Sequence, residues 1–331
     1  MANILVITCP SGKQCSHLIP LLYGKPHFTL RLAAHSEASA AKLRQQYPDA
    51  EVRQADLASL PSCHDLLRDA TAVYHVGPSF HSRERETGFN MIDAAVTESQ
   101  RPGNAFQHFV YSGVLGTQIR QLMQHEMKSF VEERLYVSPL NWTILKPANF
   151  MDVYPVGMFA SQEQPRMKFL WRPEVPNSLI ALGDLAEVAA KVLVEGETHY
   201  LAEYPLASTM PVSHTQVCEE IGRQIGKEIE VAGAPFQEGV DTVLAYLYGE
   251  GRDDLPAAVS GDFKMTSAGD VRGDITRDEA ERLILFSNRR GLRGNPNVMR
   301  WLLGREPTSV QAWVKGQLAG GVAPSRFHLV S

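Results

Sequence analysis

The 331-residue sequence predicts an α/β fold with a doubly wound parallel sheet, on two observations. Short β-rich runs alternate with helical patterns through the first half. The first run ends in a turn of small residues that opens a helix, the arrangement that dinucleotide-binding folds require.

Each element has its own signal. Ile4 to Thr8 is a buried-strand run, followed by the turn-rich Cys9 to Gly12 and a helical pattern to Tyr23. Phe28 to Ala33 is the second strand, and Ser36 caps a helix to Tyr47. Glu51 to Gln54 is a weaker third strand, followed by a short helix from Ser62 to Asp69. Thr71 to Val76 is halted by Gly77-Pro78, and Glu84 to Ser99 is helical. Phe106 to Tyr111, a long helix from Ile119 to Tyr136, and Trp142 to Leu145 complete six strands separated by helices.

That pattern implies helices on both faces of the sheet and a ligand crevice at the carboxyl ends of the strands, near the switch in strand order. The crevice candidates are Cys9 to Gln14, His35-Ser36, Asp56, Gly77-Pro78, Ser112-Gly113 and Pro147 to Phe150.

After Phe150 the pattern loosens, with Pro155, Pro165, Pro173 and Pro176 marking loops. Gly183-Asp184 opens a helix to Glu195, with Asp184 as its N-cap. Ser213 to Gly226 is another helix ending at a glycine. Gly249 to Asp278 gathers glycine, aspartate and serine and reads as a mobile loop or lid. Helices return from Glu279 to Gly320, with Trp301 and Trp313 expected in the core.

Composition narrows the function classes. The chain is 44% apolar and 21% charged, which excludes a disordered or fibrous protein. A net charge of -5, with no basic block, argues against nucleic acid or anionic membrane as partner. No apolar run is long enough for a membrane helix, and the N-terminus does not read as a signal peptide. The four cysteines, Cys9, Cys15, Cys63 and Cys218, match no metal pattern and suit a reducing compartment. The expectation is a cytoplasmic protein, monomer or homodimer, with a small-molecule substrate and no metal.

The chemistry is sought in three places. The first loop, Thr8 to Cys15, keeps only Gly12 of a three-glycine fingerprint, so a plain tight turn also accounts for it. After the second strand, where an acid would bind a ribose 2′-hydroxyl, stand His35-Ser36, with Arg31 in the strand and Lys13 in the first loop. These residues suit the 2′-phosphate of NADP better than NAD, although surface solvation accounts equally for Lys13 and His35. The third place is the acid-base machinery. Ser112 holds the serine position after the fifth strand, and Lys128 lies on the next helix. Four residues before Lys128, where a tyrosine donates the proton in many such sites, stands Gln124, which cannot titrate. His125 lies on roughly the same face and is read either as the substitute proton donor or as a partly exposed helical histidine. Tyr111 and His75 read as packed strand residues, whereas His81 and Arg83 sit nearer the crevice.

Together these residues resemble the NmrA-like family of atypical short-chain dehydrogenases, particularly its fungal members. The resemblance rests on Thr8 to Cys15, Phe109 to Gly113, His125 to Lys128 with Val131 to Glu133, and Asn141 to Met151, and in the tail on Asn288 to Gly291 and Trp301 to Arg305. It implies a Rossmann-type domain over 1–150 and a smaller, mostly C-terminal α+β substrate domain over 151–331, with some strands and a helix, about 178–195, returning to the first. NADP is the implied cofactor. The cofactor contacts are Gly12, Lys13, Gln14, Arg31, His35, Ser36, Asp56, Leu57, Gly77, Pro78, Lys128, Pro147, Asn149 and Phe150. Cys9 and Cys15 replace usual glycines, so their side chains are expected to crowd the pyrophosphate loop.

Three functions follow as expectations. The first is an NADPH-dependent reductase of an activated C=C or C=N bond in fungal secondary metabolism, with Lys128 on the ribose and Ser112 and His125 as catalytic candidates. The second is a non-redox cyclase or isomerase, for example of the Pictet-Spengler type, that uses Glu126 or His125 to move protons. The third is an NADP-sensing regulator without turnover.

Overall fold

The computed structural model describes residues 3–78, 83–248 and 273–320. The chain divides into two units. The first contains 1–146 and returns over Leu185–Tyr204; the second holds the described residues of 147–184, 205–248 and 273–320. In this division the first stretch of the first unit ends at Lys146.

The first unit alternates strand and helix: β1 (Ile4–Thr8), α1 (Lys13–Leu22), β2 (Thr29–Ala34), α2 (Glu37–Gln46), β3 (Glu51–Gln54), α3 (Leu60–Leu67), β4 (Ala72–Val76), α4 (Glu84–Gln100), β5 (His108–Ser112), α5 (Met123–Tyr136) and β6 (Trp142–Pro147). Later strands are β7 (Asn149–Phe150), β8 (Arg166–Phe169), β9 (Leu179–Ile180), β10 (Ala202–Leu206) and β11 (Glu230–Gly233). Later helices are α6 (Val156–Ser161), α7 (Leu182–Glu195), α8 (His214–Ile225), α9 (Phe236–Tyr248), α10 (Gly273–Arg289), α11 (Asn297–Leu303) and α12 (Val310–Leu318).

The main sheet has seven parallel strands in the order β10-β6-β5-β4-β1-β2-β3. The chain runs outward from β1 through β2 to β3, then crosses back to β4 on the other side of β1. The switch in strand order therefore lies at the carboxyl ends of β1 and β4. Thr8 ties these ends together: its hydroxyl accepts from the Val76 amide at 2.8 Å and lies 3.1 Å from His75 Nδ1. On one face, Val6, Val73, Phe109, Tyr111 and Ile144 pack against α3, α4 and α5. Gly88 lets α4 meet α5, because a Cβ there would lie 2.5 Å from a Val131 methyl.

In the second unit, β8 pairs with β11 and β7 with β9, both in parallel. Its core gathers Tyr154, Phe159, Phe169, Ile221 and Trp313. His214 sits at its centre. It stacks on Phe169 at 4.3 Å, accepts from Trp171 Nε1 at 3.1 Å, and lies 2.6 Å from the Tyr154 hydroxyl. The Phe169–Trp171 stretch therefore packs around a histidine.

Several expectations are corrected. The strand that joins the sheet from the later chain, β10, lies at Ala202–Leu206 rather than near 178–195: it is short, contains Pro205, and occupies the sheet edge where proline is tolerated. The long helix begins at Met123, not Ile119, after turns set by Gly116 at φ +77°. Trp313 is buried, but Trp301 is 65% exposed. Asp184 is not an N-cap but lies in the first turn of α7, 1% exposed. Its carboxylate accepts from the Ser208 hydroxyl at 2.7 Å and from the Thr308 amide and hydroxyl at 2.7 and 2.8 Å. Of the expected lid, 273–278 is the start of α10; the remainder, like His81, lies outside the described residues.

Candidate functional site

The switch point collects most of the predicted crevice residues of the first unit. Gly12 is the N-cap of α1 and offers no side-chain cap, and the first turn carries no acid. A helix N-terminus of this kind presents backbone amides and a positive dipole end to an anion. Lys13 opens the helix beside it.

The two cysteines of this loop do not crowd it as expected. Cys15 is 1% exposed and its thiol donates to the Thr8 carbonyl at 3.4 Å. Burial pushes that thiol well up, so it stays protonated. Cys9 turns its thiol toward the Val76 carbonyl at 3.2 Å. Its backbone nevertheless keeps the conformation that suits glycine, at φ +50°.

Around the ribose position, His35 is half-buried and its carbonyl accepts from Gln54. Ser36 caps α2 by accepting from the Ser39 amide at 3.2 Å. Asp56 is exposed and accepts from the Ala58 amide at 2.9 Å, while Leu57 is buried in the core and its carbonyl accepts from Asn90. Arg31 is not brought to this group. Its side chain is 3% exposed, pairs with Glu51 at 2.6 Å, and donates to the carbonyls of Leu66 and Arg68.

The catalytic candidates are more committed than the sequence suggested. Ser112 is 1% exposed, and its hydroxyl donates to Gln14 Oε1 at 2.7 Å. Tyr74 donates to the same oxygen at 3.2 Å, so Gln14 pins the start of α1 to β4 and β5. His125 is 4% exposed, its Nδ1 bonds the Gly116 carbonyl at 3.1 Å, and burial pushes its imidazole down to about 4. It is therefore neutral at pH 7, which counts against the proton-donor role. Glu126 is half-buried in the first turn of α5. Tyr111 is buried, and burial together with nearby Glu84 and Glu132 pushes its phenol well up.

Lys128 is 6% exposed and ion-pairs with Glu84, the first residue of α4 and itself 1% exposed. Burial pushes the Glu84 carboxyl up and the Lys128 ammonium pulls it back. Sequence reasoning missed Glu84. Its only signal is an acid at a helix start, which reads as a favourable dipole contact. A second pair, buried Glu132 with half-buried Lys146 at 3.1 Å, was also missed. Gly77 and Pro78 are buried at the end of β4. Pro147, Asn149 and Phe150 belong to the second unit, where Asn149–Phe150 pairs with Leu179–Ile180. No cluster of three or more metal-ligating side chains occurs among the described residues. No helix is long and apolar enough to cross a membrane, again among those residues.

The family model described as NmrA-like matches residues 1–278. No curated protein sequence matches. Among solved structures, the chain is similar to the NADPH-dependent quinone oxidoreductase of Escherichia coli in complex with NADPH, with 17% identity, 95% of this chain and 99% of that chain covered, and a TM-score of 0.67. It is similar to the triphenylmethane reductase of Citrobacter sp. in complex with NADP(H), with 17% identity, coverage of 96% and 99%, and a TM-score of 0.71. It is also similar to NmrA, a negative transcriptional regulator, in complex with NADP, with 15% identity, coverage of 97% and 98%, and a TM-score of 0.66.

Proposed function

The chain belongs to the NmrA-like family, and from that premise we propose that it is an NADPH-dependent reductase of a small metabolite with an activated C=C or C=N bond. The first unit fits the cofactor: α1 opens at Gly12 without a side-chain cap or an acid, and Lys13 and His35 stand on the same side of the sheet, at the carboxyl ends of its strands. When bound, NADPH supplies the hydride. Lys128 binds the ribose, and the amides at the start of α1 bind the pyrophosphate.

One observation carries the choice of acceptor. The Ser112 hydroxyl is spent on Gln14 and the His125 imidazole is neutral, so neither predicted residue is a ready acid. Hydride transfer to an electron-poor C=C or C=N bond needs less acid assistance than carbonyl reduction, because the acceptor itself stabilises the developing charge. The setting we assign is fungal secondary metabolism, on the likeness of Asn288 to Gly291 and Trp301 to Arg305 to fungal members.

The test is to incubate protein and NADPH with quinone, iminium and conjugated-enone acceptors and follow the loss of reduced nicotinamide. Oxidation dependent on the acceptor supports the reductase. Product formed without oxidation would replace it with the cyclase or isomerase reading, with Glu126 as the acid. The sensor reading is favoured by the same commitment of Ser112, His125 and Lys128 to intramolecular partners. It predicts cofactor binding with no turnover of any acceptor.

A further inference from the structure

Glu84 has a capacity that its ion pair does not use. Its Oε1 takes the Lys128 ammonium, yet its Oε2, equally buried, has no hydrogen-bond partner among the described residues. A buried carboxylate oxygen without a donor is costly and calls for an explanation. The glycine at the end of β4 packs closely on this side chain: a Cβ on Gly77 would stand 3.2 Å from Glu84 Oε1 and 3.5 Å from its Cγ, which places the carboxylate against the end of β4. β4 is one of the two strands flanking the switch in strand order.

We propose that Glu84 and Lys128 act as a joint clamp for a vicinal diol, the ribose on the nicotinamide side of the dinucleotide. The free carboxylate oxygen accepts from one hydroxyl, and the ammonium donates to the other. Glu84 is then a ligand-binding residue as well as the group that positions Lys128. The clamp rests on the NADP reading above. It explains why a lysine suited to a ribose is stored with a buried acid: each charge compensates the other, and the pair still presents one donor and one acceptor.

The experiment compares two ligands on the full chain by calorimetric titration. NADPH contains the nicotinamide-side ribose; adenosine 2′,5′-bisphosphate contains only the adenosine side. Glu84→Gln should weaken NADPH by about tenfold to a hundredfold, the usual worth of a hydrogen bond to a charged group. The bisphosphate should bind as to the wild type. If Glu84→Gln does not fold, Glu84→Asp, which keeps a charge opposite Lys128 but withdraws the carboxylate by one methylene, should show the same selective loss. Equal weakening of both ligands, or unchanged NADPH binding, overturns the clamp. A wild-type protein that binds the bisphosphate but gains nothing from the rest of NADPH also overturns it. A wild type that binds neither ligand overturns the NADP reading, and the clamp with it.

Discussion

Ser112 on β5 donates its hydroxyl proton to Gln14 on α1 across 98 residues of sequence, at 2.7 Å. This bond makes the candidate catalytic serine a part of the scaffold that holds the first helix to the sheet. Ser112→Ala is expected to lower stability by about 1 kcal/mol, the net worth of a buried hydrogen bond, and to leave turnover within about threefold. Thermal unfolding and acceptor-dependent NADPH oxidation check the two halves. A hundredfold loss of turnover at unchanged stability would restore Ser112 as a catalytic residue.

Cys9 offers a prediction in two signs. At φ +50° its Cβ carries a strain of about 1–2 kcal/mol that glycine would not. Its thiol recovers part of this through the Val76 carbonyl. Cys9→Gly should therefore raise stability by about 1 kcal/mol, whereas Cys9→Ala, which keeps the strain and loses the thiol bond, should lower it. Denaturant midpoints of the two variants decide the matter, and a fall for both would show that the strain is not relieved.

Asp184 holds the tail of the second unit. Its carboxylate takes Ser208, the Thr308 amide and hydroxyl, and Arg305 at 3.1 Å, all while 1% exposed. Asp184→Ala should cost about 3 kcal/mol, the penalty for breaking a buried charged network. It should also raise amide exchange selectively over 305–308. Uniform exchange changes across the second unit would mean that the carboxylate stabilises the unit generally rather than this segment.

The legible parts of the chain were those with local signals. The strands Ile4–Thr8 and Glu51–Gln54 and the helix between Ser213 and Gly226 were placed by run length, alternation and caps, and stand where expected. The parallel sheet of the first unit followed from element order alone. What escaped was set by contacts distant in sequence. Nothing near Glu84 announces that its partner lies 44 positions away, and nothing near Arg31 that Glu51 and two carbonyls claim its guanidinium. Asp184 carried a convincing cap signal at a helix start, but the tail residues that use its oxygens lie more than 120 positions downstream.

The buried histidines set the acid limit of the fold. His75, His108, His125 and His214 are each 5% exposed or less, and burial pushes His75 and His108 down to about 3 and His125 and His214 to about 4. In the unfolded chain the same groups titrate near 6.5. Between the two values the unfolded state holds the extra proton and the folded state does not. Stability is therefore full above about pH 6.5 and falls as the pH drops toward 4, by about 1.4 kcal/mol per pH unit for each histidine. Equilibrium urea unfolding at pH 7, 6 and 5 should show this slope. His214→Gln cannot take up that proton, so it should begin less stable at pH 7, having lost the stack on Phe169, but decline less steeply with acid. A wild type equally stable at pH 7 and pH 5 would mean that these imidazoles accept protons in the folded state, through openings wide enough to hydrate them.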